Sequence, residues 1–147
     1  MTKGGPESDF VADSSIGVAW VVPAQASERS LELLNWIGTG TRFFVPSLWP
    51  FEVSNALLVL VRRKRIDPDR YRLAAKAVRR LSPVIDDESP RHALGTTSDL
   101  ALRYGLSIYD ASYLELAIRH QLPLASLDAA LVAAARSHGL STLPASR

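Results

Sequence analysis

Four carboxylates hold the positions from which this chain could do chemistry. Asp13 follows directly on the apolar run Phe10-Val11-Ala12, and Asp128 comes just after Leu124-Ala125-Ser126. Open α/β sheets bind ligands beyond the carboxyl ends of their strands, so two acids at neighbouring strand ends can meet. Glu52 stands among Phe51, Val53, Ala56 and Leu57, with Asn55 on its face one helical turn later and no Lys or Arg one turn away on either side. Asp110 falls at or beside a helix start, where the dipole favours a negative charge. If the four converge, their repulsion raises their pKa values unless a cation neutralises them. Magnesium is the hard cation suited to ligands that are all oxygen.

Each acid also has a plainer reading. Asp13, Asp110 and Asp128 are all well placed to cap a helix, and a cap needs no metal. Glu52 is harder to set aside, because a carboxylate in semi-buried apolar surroundings needs a partner.

The elements that must position these acids alternate between strand and helix. Strands are expected at residues 10–12, 42–46 and 122–126, with weaker ones at 83–85 and 140–143. Helices are expected at 16–22, 28–37, 49–65, 68–81, 90–104, 110–119 and 129–138. Pro23, Gly105 and Gly139 act as stops, and Asp67-Pro68 is a start signal. This alternation predicts an α/β fold of three layers, a central parallel sheet flanked by helices.

Composition narrows the class. At 147 residues with 47% hydrophobic content, the chain suits one domain with a full core. A mean hydropathy of +0.05, with no long apolar run, argues against a membrane protein. Residues 1–9 read as a flexible tail without the apolar stretch of a secretory signal, and residues 10–147 as the domain. The absence of Cys excludes disulfides and thiolate metal sites and agrees with a cytoplasmic location. The formal charge of +2 neither demands nor forbids nucleic acid.

Four segments together resemble the PIN domain: Phe10-Val11-Ala12-Asp13-Ser14-Ser15, Phe51-Glu52-Val53-Ser54-Asn55-Ala56-Leu57, Tyr109-Asp110-Ala111-Ser112-Tyr113-Leu114-Glu115-Leu116-Ala117 and Ser126-Leu127-Asp128. Each alone is weak, but their order and spacing match over nearly the whole chain. The subgroup they look most like is the VapC-type toxin of toxin–antitoxin pairs. The resemblance implies an endoribonuclease dependent on Mg2+, with Mn2+ able to substitute, and inhibited by a cognate antitoxin protein. It also implies a homodimer. On that footing Asp13, Asp110 and Asp128 are metal ligands, and Glu52 is either a ligand or the base that orients the attacking water. Ser14, Asn55 and Ser126 would orient the carboxylates, Ser126 standing where the family often has Thr.

Other features are read more simply. Arg62-Arg63-Lys64-Arg65 with Arg70, Arg72, Lys76, Arg79 and Arg80 could follow an RNA backbone, or be a solvated helix face. Trp20, Trp49 and Tyr109 could stack bases but fit apolar core patterns better. His92, His120 and His138 lack metal-ligand spacing and belong at helix ends, and Glu115 is expected to be exposed. A phosphoacceptor domain also has an acidic pocket, but that design wants a Lys where Ser126 and Asp128 stand. A catalytically idle RNA-binding or partner-binding PIN-like module is the remaining alternative.

Overall fold

The computed structural model describes residues 9–143. The strands are β1 (Phe10–Ala12), β2 (Phe43–Pro46), β3 (Val84–Asp86), β4 (Leu124–Ala125) and β5 (Thr142–Leu143). They form one sheet in the order β3-β2-β1-β4-β5, with every pairing parallel. The helices are α1 (Ser14–Val21), α2 (Glu28–Gly38), α3 (Trp49–Arg62), α4 (Pro68–Arg80), α5 (Ser89–His92), α6 (Thr96–Tyr104), α7 (Ile108–His120) and α8 (Ala129–Ser137). This is the expected α/β arrangement of a parallel sheet flanked by helices.

β1 lies at the centre of the sheet because its three residues, Phe10, Val11 and Ala12, are all apolar and wholly buried. A strand covered on both faces must read as a continuous apolar run. β1 pairs with β4 in the register Ala12↔Ala125, so the chain leaves both strands at the same edge. Asp13 and Ser126 are the next residues out, and that is the crevice where parallel sheets bind ligands.

An aromatic cluster fixes the helices over this edge. Phe10, Trp20, Phe43 and Trp49 stack or meet edge to face, with ring centroids 5.0 to 6.4 Å apart. α1 can approach α3 this closely only because residue 17 is Gly: a Cβ there would lie 2.7 Å from Trp49 Cζ2. Trp49 in turn donates from Nε1 to the backbone carbonyl of Asp13 at 3.1 Å. Trp20 and Trp49 are thus core residues, while Tyr109 is exposed.

Four expectations need correction. Tyr109, expected in the core from its apolar pattern, is exposed. The single helix over 90–104 is broken into α5 and α6, because Gly95 takes φ −126°, ψ −107°, outside the helical region. The helix expected to begin at Asp110 begins at Ile108 and is capped by Ser107, whose side chain accepts from the Asp110 N–H at 3.0 Å. Glu115 is buried rather than exposed, at 3%. The three histidines do end helices or cap them. The tail reading falls almost wholly on residues 1–8, outside the described residues; Asp9 is bound to Arg42 through its backbone N–H at 2.9 Å and its guanidinium.

Candidate functional site

Asp13 is the most enclosed of the four acids, at 4% exposure. It is the N-cap of α1, and Oδ1 accepts from the Ile16 N–H at 3.2 Å and from Ser15 Oγ at 2.6 Å. Its other oxygen, Oδ2, accepts from Ser126 Oγ at 2.5 Å across the β1–β4 boundary. Ser126 Oγ also accepts from the Asp128 N–H at 2.9 Å, and Ser15 Oγ from the Leu127 N–H at 3.0 Å. Two serines thus tie the loop after β4 to the Asp13 carboxylate. Burial pushes the Asp13 carboxyl up to about 6 against these hydrogen bonds, and the charge of Asp128 adds to the rise.

Asp128 is exposed and caps α8, its Oδ1 accepting from the Ala130 and Leu131 N–H groups at 2.9 and 3.1 Å. Asp110 stands in the first turn of α7; burial raises its pKa, and the Asp128 charge raises it further. Glu52 occupies the first turn of α3. Burial raises its pKa as well, a hydrogen bond from Tyr113 opposes the rise, and the Asp110 charge adds to it. The mutual repulsion links all four acids in sequence, Asp13 to Asp128 to Asp110 to Glu52. Among the described residues, however, no three carboxylate or imidazole side chains are drawn together tightly enough to hold an ion as they stand. The acids form an open series of neighbours, with Asp13 and Asp128 both engaged as caps. The capping reading is therefore true of these two, and it coexists with their place in the series.

Two other buried carboxylates provide the contrast. Asp86 and Glu115 both bind Arg119, whose Nη2 meets Asp86 Oδ2 at 2.7 Å and whose Nε meets Glu115 Oε2 at 2.7 Å. Burial alone would raise Asp86, but hydrogen bonds from Arg119 and Ser89 and the Arg119 charge outweigh it and hold the carboxyl at about 2. A buried carboxylate kept for structure is thus given an arginine. Among the described residues, Asp13, Glu52, Asp110 and Asp128 make no ion pair. Oxygen donors in mutual repulsion, with no ion pair among the described residues, are a donor set that fits a divalent metal.

Of the supporting residues expected from sequence, Ser126 contacts Asp13 directly, while Ser14 opens α1 and does not bind any of the four acids among the described residues. Asn55 is exposed and makes no side-chain hydrogen bond among the described residues. Sequence reasoning missed Ser15 and Tyr113. Tyr113 is wholly buried and its hydroxyl donates to Glu52 Oε1 at 2.5 Å. Burial and the neighbouring Glu52 raise its pKa well above the usual phenol value, so it remains a donor. Its position three residues after Asp110 was the available signal, since that spacing puts both on one helix face and a buried Tyr hydroxyl requires a partner.

Known proteins share this architecture. The crystal structure of PAE2754 from Pyrobaculum aerophilum matches with a TM-score of 0.69 at 24% identity, over 92% of this chain and 91% of that one. FitAcB from Neisseria gonorrhoeae matches with a TM-score of 0.58 at 16% identity, over 90% and 95%. At such identities the likeness is one of fold. No curated protein matches the sequence significantly. The PIN domain model matches residues 10–137, which takes in all four acids and every element from β1 to α8. The chain belongs to the PIN domain family.

Proposed function

We propose that this protein is a magnesium-dependent endoribonuclease, the toxin of a toxin–antitoxin pair. PIN domains are generally nucleases and usually use divalent metals. The observation that carries the reading is the division among the half-buried and buried carboxylates: Asp86 and Glu115 share Arg119, whereas Asp13, Glu52 and Asp110 are raised by burial and have no counter-charge. A fold spending stability in this way has a ligand to offset it.

Asp13, Asp110 and Asp128 would hold the metal, with Glu52 as a further ligand or as the base that orients the attacking water. When bound, such an ion supplies an activated water at neutral pH and neutralises charge on the phosphate. The chain's own residues do the positioning. Ser15, Ser126 and the Ile16 N–H fix the plane of the Asp13 carboxylate. Tyr113 holds Oε1 of Glu52, which leaves Oε2 without a hydrogen-bond partner among the described residues. The α8 cap bonds engage Oδ1 of Asp128, which leaves its Oδ2 available.

The antitoxin reading has separate support. Phe51, Tyr109 and Leu127 each precede one of the acids and are 79%, 61% and 47% exposed. Apolar surface beside an acidic pocket suits a partner segment that brings apolar side chains and a cation. Homodimerisation and a cytoplasmic location belong to the same reading; no helix among the described residues is long and apolar enough to cross a membrane.

Induced expression tests the function. The wild type should arrest growth and leave newly cut RNA ends, co-expression of a cognate antitoxin should relieve the arrest, and Asp13→Asn should be harmless. Equal arrest by both forms, without new RNA ends, would point to the idle binding module instead.

A further inference from the structure

We propose that the α3–α4 hairpin is the track that carries the RNA backbone into the acidic site, an inference that rests on the nuclease reading. Residues 62–80 hold nine Lys or Arg and two Asp, out of 17 and 15 such cations and acids in the chain. The rest of the chain is therefore acidic, with eight cations against thirteen acids. A protein of near-neutral charge has gathered its positive charge on one hairpin.

All nine cations are exposed. Among the described residues, one of the nine, Arg72, makes an ion pair, with Asp69 at 3.1 Å, and both partners face solvent. Arg72, Lys76 and Arg79 recur at helical spacing on one face of α4, away from the buried Ala74 and Val78. The helix dipole accounts for Arg62, Arg79 and Arg80, which end their helices. It does not account for Lys76, mid-helix and four residues from both Arg72 and Arg80, where like charges repel. Nor does it account for Arg63, Lys64 and Arg65 in the connecting loop. A polyanion laid along this face would relieve the repulsion.

The stripe ends at the same end of the hairpin as Glu52. α4 packs back along α3, with Tyr71 Oη and Ser54 Oγ 2.7 Å apart, and Arg79 shares a small apolar cleft with Pro50 and Val53. Pro50 and Ser54 share the first turns of α3 with Glu52, which at about 100° per residue points to the opposite flank of that helix, toward Tyr113. From Arg72 to Arg79 the stripe rises about 10 Å along the helix. It ends at the N-terminal end of α3, so RNA held on it would pass over that helix end to reach Glu52 and the other acids.

Binding can be measured apart from cleavage, by fluorescence anisotropy of labelled oligouridine in EDTA, at salt from about 50 to 200 mM. Arg72→Glu/Lys76→Glu/Arg79→Glu should weaken binding at least about thirtyfold and make the salt dependence shallower by about 2 in log–log slope, since single strands contribute about 0.7 per lost phosphate contact. The Gln version of the same triple should shift both in the same direction, which protects the test should the Glu version fold poorly. Arg103→Glu, on α6, should stay within about twofold of wild type. Unchanged affinity and slope in both triples would overturn the track. So would tighter binding of polyglutamate than of RNA by the wild type, lost in the same variants, because the face would then serve an acidic protein. Wild-type RNA binding that depends on the hairpin without any cleavage on adding Mg2+ would support the track and count against the nuclease reading.

Discussion

Replacing Asp13 by Asn should stabilise the metal-free protein at alkaline pH relative to acid pH, by an amount the structure supplies. The Asp13 carboxyl is raised from 3.8 to about 6, chiefly by burial. The sign follows from linkage. Between these values the folded state holds a proton that the unfolded state has lost, so stability falls as pH rises through this window. The shift of about two pH units corresponds to about 3 kcal/mol at 1.36 kcal/mol per unit, lost by the wild type between roughly pH 4 and pH 7. Asn cannot ionise and escapes this loss. It brings a penalty of its own, because its amide cannot accept from Ser126 Oγ as Oδ2 does, but that penalty is independent of pH. Urea unfolding in EDTA at pH 4 and pH 8 isolates the charge term as the difference between two differences. The stability of Asp13→Asn relative to wild type should be about 3 kcal/mol more favourable at pH 8 than at pH 4. A relative stability that does not change with pH would show that the carboxylate is not held in a desolvated, uncompensated state, and the case for a site strained in favour of a cation would fail.

Further outcomes follow from the same geometry. Mg2+ or Mn2+ at about a hundred times its dissociation constant should stabilise the wild type by roughly 2.7 kcal/mol in thermal melts, and Asp13→Asn or Asp128→Asn should lose most of that gain. Tyr113→Phe keeps the ring packed but removes the donor to Glu52; activity or metal affinity should fall about 10- to 100-fold in a cleavage assay or calorimetric titration while the metal-free melt changes little. Arg119→Met leaves Asp86 and Glu115 buried without their cation and should cost about 3–5 kcal/mol in urea unfolding at pH 7. That loss should shrink as pH falls, because Asp86, held at about 2, contributes stability present above its unfolded pKa and lost as pH drops through the folded value. Gly17→Ala should cost about 1–3 kcal/mol by driving a Cβ against Trp49, and the activity it retains should be measured alongside, since Trp49 holds the Asp13 carbonyl.

The sheet was legible because its central strands carry buried apolar runs bounded by turn residues, and Asp67-Pro68 announced α4 to the residue. The break between α5 and α6 was not legible, since one Gly within a helical pattern signals lowered propensity without saying whether the helix gives way. Glu115 was misjudged because its burial depends on Asp86 and Arg119 closing over it, and Asp86 lies on another element. The four acids stood out by type and spacing, and Ser126 by its place two residues before Asp128. What orients them was hidden. Ser15 rather than Ser14 faces Asp13, a matter of about 100° of helix rotation that composition does not encode, and Tyr113 reaches Glu52 across 61 residues of chain. Contacts between distant segments leave no local pattern, and these are the contacts on which the proposed site depends.

The central claim is that Asp13, Glu52, Asp110 and Asp128 form one divalent-metal site that cuts RNA, and a cleavage assay with purified protein on mixed single-stranded RNA tests it most directly. The wild type should cut with Mg2+ or Mn2+ and stop with EDTA, and Asp13→Asn, Glu52→Gln, Asp110→Asn and Asp128→Asn should each lose nearly all activity while remaining folded. Cleavage that persists in EDTA, or that survives in folded variants at all four positions, would contradict the account.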